Sequence, residues 1–406
     1  MKCLNVIPYE NGIPSFDASK ETGECVRENY KINKLEYYYL TDTHELPDKM
    51  FYVIIRHSML LHDYLQLNNA LPINQDIIDY LRVYKNLKVI FINDSEPDSE
   101  KVLTTLHEYM VRENLNEDQF IIINNNYKLS ELNIYDFQVY TSHRLDMWIV
   151  EYMRHFEPEF QKDKPSFFTC HNRVVKPHRY FLLANLKKLD ILNDCDWSLL
   201  RAKSDIDIYK KIGQGKFPTS FYDHLYSEEE LTDLTAEMEY LDSLESKTSV
   251  YEEGFAFDQP CGDYMTTFEI NAYKNAYVNL TTESRFDYYG VHISEKSLIP
   301  FYFHQIPLIL ASPDHISSMI KRYDLDFFTD LIDISYDSEK NHKKRFEMYL
   351  AEVKRLYDMK DEVIDFYAKN MNRLMKNRRK ILAILDADSD YKYFNGVISK
   401  EDGKII

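Results

Sequence analysis

The chain has 406 residues, and 49 Lys+Arg against 67 Asp+Glu leave it a net charge of −18. Hydrophobic residues make up 44% and charged ones 29%, which excludes a disordered polypeptide and provides material for two or three folded domains. Glycine is the outlier: nine residues are present where an average chain of this length would carry roughly 28. Neither G-x-G-x-x-G nor G-x-x-x-x-G-K-[ST] occurs, and the nearest run, Gly213-Gln-Gly215-Lys216, lacks a third glycine and a preceding apolar strand. Kinase and dehydrogenase readings fail on that ground, and any bound nucleotide must be held without a glycine-rich phosphate loop.

The N-terminal Met1 to Glu10 has no apolar core of signal-peptide length. Five scattered cysteines, Cys3, Cys25, Cys170, Cys195 and Cys261, form no C-x-x-C and read as reduced thiols, so a cytoplasmic location is expected. In the first 150 residues, Phe51–Ile55, Leu87–Ile92 and Phe120–Ile123 read as buried strands, with an amphipathic helix over Glu100 to Leu115. Each strand runs into polar residues: Arg56-His57-Ser58, Asn93-Asp94-Ser95-Glu96 and Asn124-Asn125-Asn126. Ligands of open α/β sheets bind at such carboxyl ends. The run Glu157 to Pro165 reads as a linker.

Beyond it, Ser166–Cys170 reads as a strand and Pro177–Leu189 as a helix opened by proline. Ala276–Leu280 and Pro307–Leu310 read as further strands, with helices over about Ser294 to Phe303, Pro313 to Tyr323 and Asn341 to Leu385. The apolar stretch Leu298 to Ala311 is broken by Pro300, His304, Gln305 and Pro307. It falls short of the ~20 residues that span a bilayer, so no membrane span is expected. The sequon Asn279-Leu280-Thr281 has no secretory signal to give it meaning. The expected architecture is α/β with two Rossmann-like domains facing a cleft: residues 1–160, residues 161–345, and C-terminal helices over 346–406 packing back across them.

Two constellations carry chemistry. The first is Asn172-Arg173-Val174-Val175-Lys176-Pro177-His178-Arg179, where a strand ends and a helix begins. A helix N-terminus favours anions, and Arg173, Lys176, His178 and Arg179 add donors there, making a phosphate site without glycine. Pairing of Arg179 with an acidic neighbour is the plain alternative. The second is Asn279-Leu280-Thr281-Thr282-Glu283, followed by His292-Ile293-Ser294-Glu295-Lys296-Ser297. At a helix start Glu295 can accept from ribose hydroxyls and Lys296 can reach a diphosphate, unless the two form only a surface ion pair.

These runs, with Leu182-Leu183-Ala184-Asn185-Leu186, Gln305-Ile306-Pro307-Leu308-Ile309-Leu310 and Ile334-Ser335-Tyr336-Asp337, resemble the α-1,3-fucosyltransferase-like glycosyltransferases of the GT-B group, in their viral and bacterial branch. The likeness covers about residues 166–337, and Ser294-Glu295-Lys296 stands where that family has Thr-Glu-Lys. It implies an inverting, metal-independent enzyme with a nucleotide-diphosphate sugar on its C-terminal domain and no further cofactor. It implies that Arg179, helped by Arg173, neutralises the diphosphate, that Lys296 touches the same phosphates and Glu295 the ribose, and that Glu283 lies close to the transferring sugar. Asn172, Lys176 and Ser294 complete the expected donor set.

Inversion requires a base for the acceptor hydroxyl. The strand ends offer Glu96, Asp94, His57 and Asp63, with Glu96 or Asp94 preferred and a helix cap as the plain alternative. The Asp-x-Asp triplets at Asp194, Asp205, Asp324 and Asp386 are scattered, as chance allows in so acidic a chain, and no metal site is expected. The acceptor is a glycan or a hydroxylated base in viral DNA, the latter reached through Lys369, Arg373, Lys376, Arg378, Arg379 and Lys380, which otherwise read as a solvated face. A non-catalytic nucleotide- or carbohydrate-binding scaffold is the alternative function.

Overall fold

The computed structural model describes residues 2–6, 9–10, 13–14, 36–38, 51–56, 65, 69–71, 75–85, 87–93, 101–132, 134–141, 158, 160–172, 176–199, 225–244, 273–287 and 290–386. The fold is mixed α/β. Strands β1 (Lys2–Val6), β4 (Glu36–Tyr38), β5 (Phe51–Arg56), β6 (Leu87–Asn93), β7 (Phe120–Asn124) and β8 (Gln138–Thr141) form one parallel sheet in the order β4-β1-β5-β6-β7-β8. A small antiparallel pair, β2 (Tyr9–Glu10) with β3 (Ile13–Pro14), stands apart from it. Strands β9 (Ser166–Asn172), β10 (Cys195–Leu199), β11 (Ala276–Thr282) and β12 (Ile306–Leu310) form a second parallel sheet in the order β10-β9-β11-β12.

Both sheets share one winding: the second strand in chain order lies on one side of the first, and the third on its other side. The strands expected from continuous β-branched runs are all present. Those that escape the sequence are short or carry polar residues, such as β4 and β8 at the sheet edges and Cys195–Leu199, whose Asp196 and Ser198 interrupt the run. Short edge strands need little apolar sequence, because they are paired on one side only.

The chain forms two compact units. The first holds the six-stranded sheet, helices α1 (Gln75–Val83) and α2 (Lys101–Glu113), and residues 290–292. Its core packs Leu81, Leu106 and Met110 against Val89 and Phe120. The second runs from Trp148 and holds the four-stranded sheet with α3 (Pro177–Lys188), α4 (Glu228–Thr232), α5 (Thr235–Ser243), α6 (Glu295–Tyr302), α7 (His315–Tyr323), α8 (His342–Asp358), α9 (Lys360–Lys369) and, as far as Ile384, α10 (Met371–Asp386). The helical stretch after residue 341 is thus three helices of this unit. The described part of the Glu157–Pro165 run also belongs to it: Lys164 donates through its backbone N to Tyr277 Oη at 3.1 Å and through Nζ to the Lys274 carbonyl at 2.8 Å.

The polar end of β7 is not left open for a ligand. Asn124, Asn125 and Asn126 are buried. Asn124 Oδ1 accepts from Asn126 N at 2.7 Å, and Asn126 Oδ1 accepts from the N–H groups of Lys128 and Val291, each at 3.1 Å. Tyr127 N donates in turn to the Val291 carbonyl at 2.9 Å. Asn126 and the Tyr127 N–H thus satisfy both backbone groups of Val291.

Positive φ angles occur at Asn69, Asn114, Asp190, His304, Asp314, Asp324 and Phe328. Five of these seven are Asn or Asp, the residue types that tolerate the left-handed region best after glycine. They take turn positions that glycine would fill in an average chain, such as Asn114 (φ 52°) just past α2 and Asp190 (φ 58°) just past α3. Replacing Asn114 with glycine is expected to leave stability unchanged or raise it by up to about 1 kcal/mol, and replacing it with valine to lower it by at least ~1 kcal/mol, in chemical denaturation of the full chain.

Candidate functional site

In the second sheet the winding reverses between β9 and β11, and the carboxyl ends of strands flanking such a reversal are where open α/β sheets bind ligands. Strand β9 ends at Asn172 and β11 at Thr282. Thr282 Oγ1 donates to Asn172 Oδ1 at 2.5 Å, and Asn172 Nδ2 donates to Cys170 Sγ at 3.3 Å, so the two ends are tied together in the interior. Cys170 and Cys195 are buried free thiols, and burial pushes the Cys170 thiol up to about 12.

Helix α3 begins with Pro177, whose fixed φ suits a first turn and whose missing N–H would have had no helical partner. The side chains of this turn reach across to the segment leaving β11. Arg179 Nη2 donates to the Thr282 carbonyl at 3.1 Å, His178 Nε2 to the Glu283 carbonyl at 2.9 Å, and Lys176 Nζ to the Ser284 carbonyl at 2.8 Å. Three consecutive carbonyls are therefore held by three side chains of one helical turn. Arg179 is 2% exposed. Burial draws its pKa down while the nearby Glu283 and Glu295 carboxylates oppose this, and arginine stays protonated throughout.

Glu283 is 1% exposed and its carboxylate is enclosed by donors. It accepts from Ser294 Oγ at 2.7 Å, Ser297 Oγ at 2.5 Å, Ser294 N at 3.1 Å and Ser284 N at 3.3 Å. Ser294 is the N-cap of α6, its Oγ accepting from Lys296 N at 3.3 Å. Because Ser297 gives its only hydroxyl proton to the carboxylate, His315 Nε2, 2.8 Å away, must donate to Ser297 Oγ. Burial holds the His315 imidazole pKa down, against the pull of Glu283 and Asp337, so it is a neutral Nε2–H tautomer. Asp337 caps α7 through the N–H groups of Ile316 and Ser317, at 2.8 and 2.9 Å.

One step further along, Arg345 of α8 donates to the carbonyls of Phe286, Ala311 and Glu339 at 2.5, 3.0 and 2.7 Å, with its guanidinium 4.4 Å from the Phe286 ring centre. By contrast Glu295 and Lys296, at the start of α6, pair with each other and keep 22% and 32% of their side chains exposed.

The structure thus brings together Asn172, Lys176, Arg179, Glu283, Ser294, Glu295 and Lys296 at one sheet edge. Glu283 is turned onto Ser294 and Ser297, a positioning contact where the resemblance implies a sugar contact. Arg173, His57, Asp63, Asp94 and Glu96 lie outside the described residues. Ser297 stands in the second constellation without a role assigned to it, and His315 and Arg345 escaped the sequence reading. The role of Ser297 could have been found, since it follows Ser294 by three positions and shares its helix face. For His315 and Arg345 there is no local signal.

The basic segment is not a continuous cationic face. Arg373 pairs with Asp326 and Asp330, each at 2.7 Å, Lys380 with Asp324 at 2.6 Å and Lys369 with Asp365 at 3.5 Å. Arg378 lies over the Tyr302 ring at 5.0 Å, while Lys376 and Arg379 are exposed. Those aspartates, and Asp194 with Tyr357 and Lys360 at 2.8 and 2.9 Å, are spent on such pairs. Asp205, Asp207 and Asp388 lie outside the described residues. The sequon Asn279 is 5% exposed, its Nδ2 donating to Gln305 Oε1 at 2.8 Å. Among the described residues no helix is long and apolar enough to cross a membrane.

Comparison with family models, curated proteins and solved structures returns no match to this chain. Removing the Glu283 carboxylate takes one of two nearby negative charges from the buried Arg179 and leaves the Ser294 and Ser297 hydroxyls without their acceptor. Glu283→Ala is expected to cost about 3 kcal/mol or more in urea denaturation, and Ser297→Ala only about 1 kcal/mol.

Proposed function

We propose that the chain is an inverting glycosyltransferase of GT-B-like build that takes its sugar from a nucleotide-diphosphate donor. One observation carries this reading: the two motifs meet at the carboxyl ends of β9 and β11, where Asn172 and Thr282, 110 positions apart, are hydrogen-bonded and the strand order reverses. The common winding of the two sheets supports a pair of Rossmann-like halves, the second being the donor side. In this proposal Lys176, Lys296 and the α6 N-terminus receive the diphosphate. Arg179 adds its charge from behind, Glu295 accepts from the ribose hydroxyls, and Glu283 fixes the helix start that presents them.

The reaction is a single displacement. The acceptor oxygen bonds to the anomeric carbon as the bond from that carbon to the phosphate oxygen breaks, and the acceptor proton passes to a base, for which Glu96, Asp94 and His57 are the candidates. Fixed cations supply the leaving-group stabilisation that a divalent metal supplies in other enzymes. A glycan acceptor is favoured over nucleic acid, because Lys369, Arg373 and Lys380 are already paired with aspartates. The engagement of Lys176, His178 and Arg179 with backbone carbonyls favours, as the second reading, a module that binds the nucleotide without turning it over.

A thermal-shift panel of nucleoside diphosphates and their sugars tests the donor site. One member at 100 times its dissociation constant is expected to stabilise the chain by ~2.7 kcal/mol. Lys296→Ala should weaken that ligand at least about ten-fold, the loss of one charge-assisted contact, and leave the unliganded melting temperature unchanged. A panel in which nothing stabilises the chain sinks the proposal, and binding without slow hydrolysis of the sugar nucleotide selects the second reading. For the acceptor, the double change Lys376→Glu and Arg379→Glu is expected to leave turnover and its salt dependence unaltered. A steep fall with salt that the double change abolishes would identify nucleic acid.

A further inference from the structure

Glu295 and Lys296, the two residues that would meet the donor, stand between two serines fastened to one carboxylate. Ser294 and Ser297 donate through their hydroxyls to Glu283 at 2.7 and 2.5 Å, and Ser297 N donates to the Ser294 carbonyl at 3.1 Å. The Ser294 hydroxyl oxygen in turn accepts from Lys296 N. The first turn of α6 is therefore shaped by where the two hydroxyl protons point.

Ser297 has one proton and two partners. With that proton on Glu283, its oxygen is free to accept from His315 Nε2, 2.8 Å away. Were the imidazole hydrogen on Nδ1 instead, Nε2 would compete with Glu283 for the serine proton. A serine oxygen would then face a carboxylate oxygen at 2.5 Å with no hydrogen between them. The surroundings of His315 select the first arrangement. Ser297 and His315 are both fully buried, and His315 Nδ1 meets no hydrogen-bond partner among the described residues. A hydrogen placed on Nδ1 would be a buried donor without an acceptor. Burial also disfavours the imidazolium, against the pull of Glu283 and Asp337. The histidine is anchored independently of α6. It is the first residue of α7, where Asp337 accepts from the next two N–H groups through its carboxylate and from Asp314 N, at 2.7 Å, through its carbonyl.

We infer that His315 is a positioning residue for the donor site: by donating from Nε2 it holds the Ser297 proton on Glu283, and so sets the first turn of α6 in the form that presents Glu295 and Lys296 to the diphosphate. The inference rests on the donor-site reading above. His315 is fully buried and meets no ligand itself, so its whole effect on binding passes through Ser297.

The test is calorimetry on the full chain, below the melting range of every variant, with adenosine, guanosine, cytidine and uridine diphosphates and with inorganic pyrophosphate. For whichever of these binds the wild type, His315→Leu and Ser297→Ala are each expected to weaken binding about three- to ten-fold, the range of one neutral hydrogen bond. The double variant is expected to be no weaker than the weaker single one, because both changes break the same chain of contacts. His315→Gln, whose amide N–H can stand in for Nε2–H, is expected to keep the wild-type affinity. A histidine that only filled space would lower the melting temperature and leave the affinity of the folded chain unchanged. The inference is overturned if His315→Leu binds as tightly as the wild type, if His315→Gln binds as weakly as His315→Leu, or if the two single effects add in the double variant. Wild-type affinity in Ser297→Ala overturns it as well, and that variant decides the matter should His315→Leu fail to fold. If none of the probes binds the wild type, the donor-site reading falls and this inference with it, whereas a wild type that binds beside an unaffected His315→Leu removes the inference alone.

Discussion

The segment leaving β11 is held by its carbonyls. Arg179, His178, Lys176 and Arg345 donate to the oxygens of residues 282, 283, 284 and 286, and all four side chains come from helices distant in sequence. Backbone oxygens inside a protein need donors, and a loop has no ladder to provide them. With its carbonyls fixed, Glu283 can point its carboxylate in one direction only, onto Ser294 and Ser297, and this sets where α6 begins. The position of Glu295 and Lys296 follows from that start. A hydrogen bond to a charged group contributes about 1.5–3 kcal/mol, whereas an exposed ion pair such as Glu295–Lys296 contributes about 0–1 kcal/mol. The magnitudes assign the roles: the buried charges hold the loop, and the half-exposed pair is weak enough to be opened by a ligand.

The legibility of this arrangement in the sequence was uneven, for physical reasons. Continuous β-branched runs such as Phe120–Ile123 announce central strands, because both sheet faces are covered there. Cys195–Leu199 does not, because an edge strand tolerates Asp196 and Ser198. Pro177 marked the start of α3, and Lys176, His178 and Arg179 were visible as donors around it. Their targets were not visible, since the carbonyls they reach lie 103 to 108 residues further on. Arg345 was less legible still: on an amphipathic helix an arginine reads as solvated, and only the three-dimensional packing reveals that this one is 1% exposed. The Asn124–Asn126 run was legible as a polar strand end, but its partner was not, because Val291 comes 165 residues after Asn126.

The shortage of glycine connects these observations. Turns that a glycine would make without strain are made here by Asn, Asp and His304 in the left-handed region, and by Phe328, which as a bulky residue suits it least. Phe328 is compensated locally. Its N–H donates to Asp326 Oδ1 at 2.9 Å, its ring is fully buried, and Arg373 lies 4.9 Å from the ring centre while pairing with Asp326. His304 has the same backbone conformation without a partner for its buried ring nitrogen among the described residues.

That contrast bears on how a glycine-poor chain would hold a phosphate. A glycine loop presents bare N–H groups to an anion, and the loop itself is the site. Here the loop after β11 offers its carbonyls inward to buried cations, so a ligand would meet the N-terminus of the following helix and the outermost members of the cationic set. Substitutions in the buried members then act on stability first, and binding defects in them follow from a loop that has lost its shape. Lys296 is free of that confusion, because no loop carbonyl depends on it, and a change in affinity at that residue reports on the ligand itself.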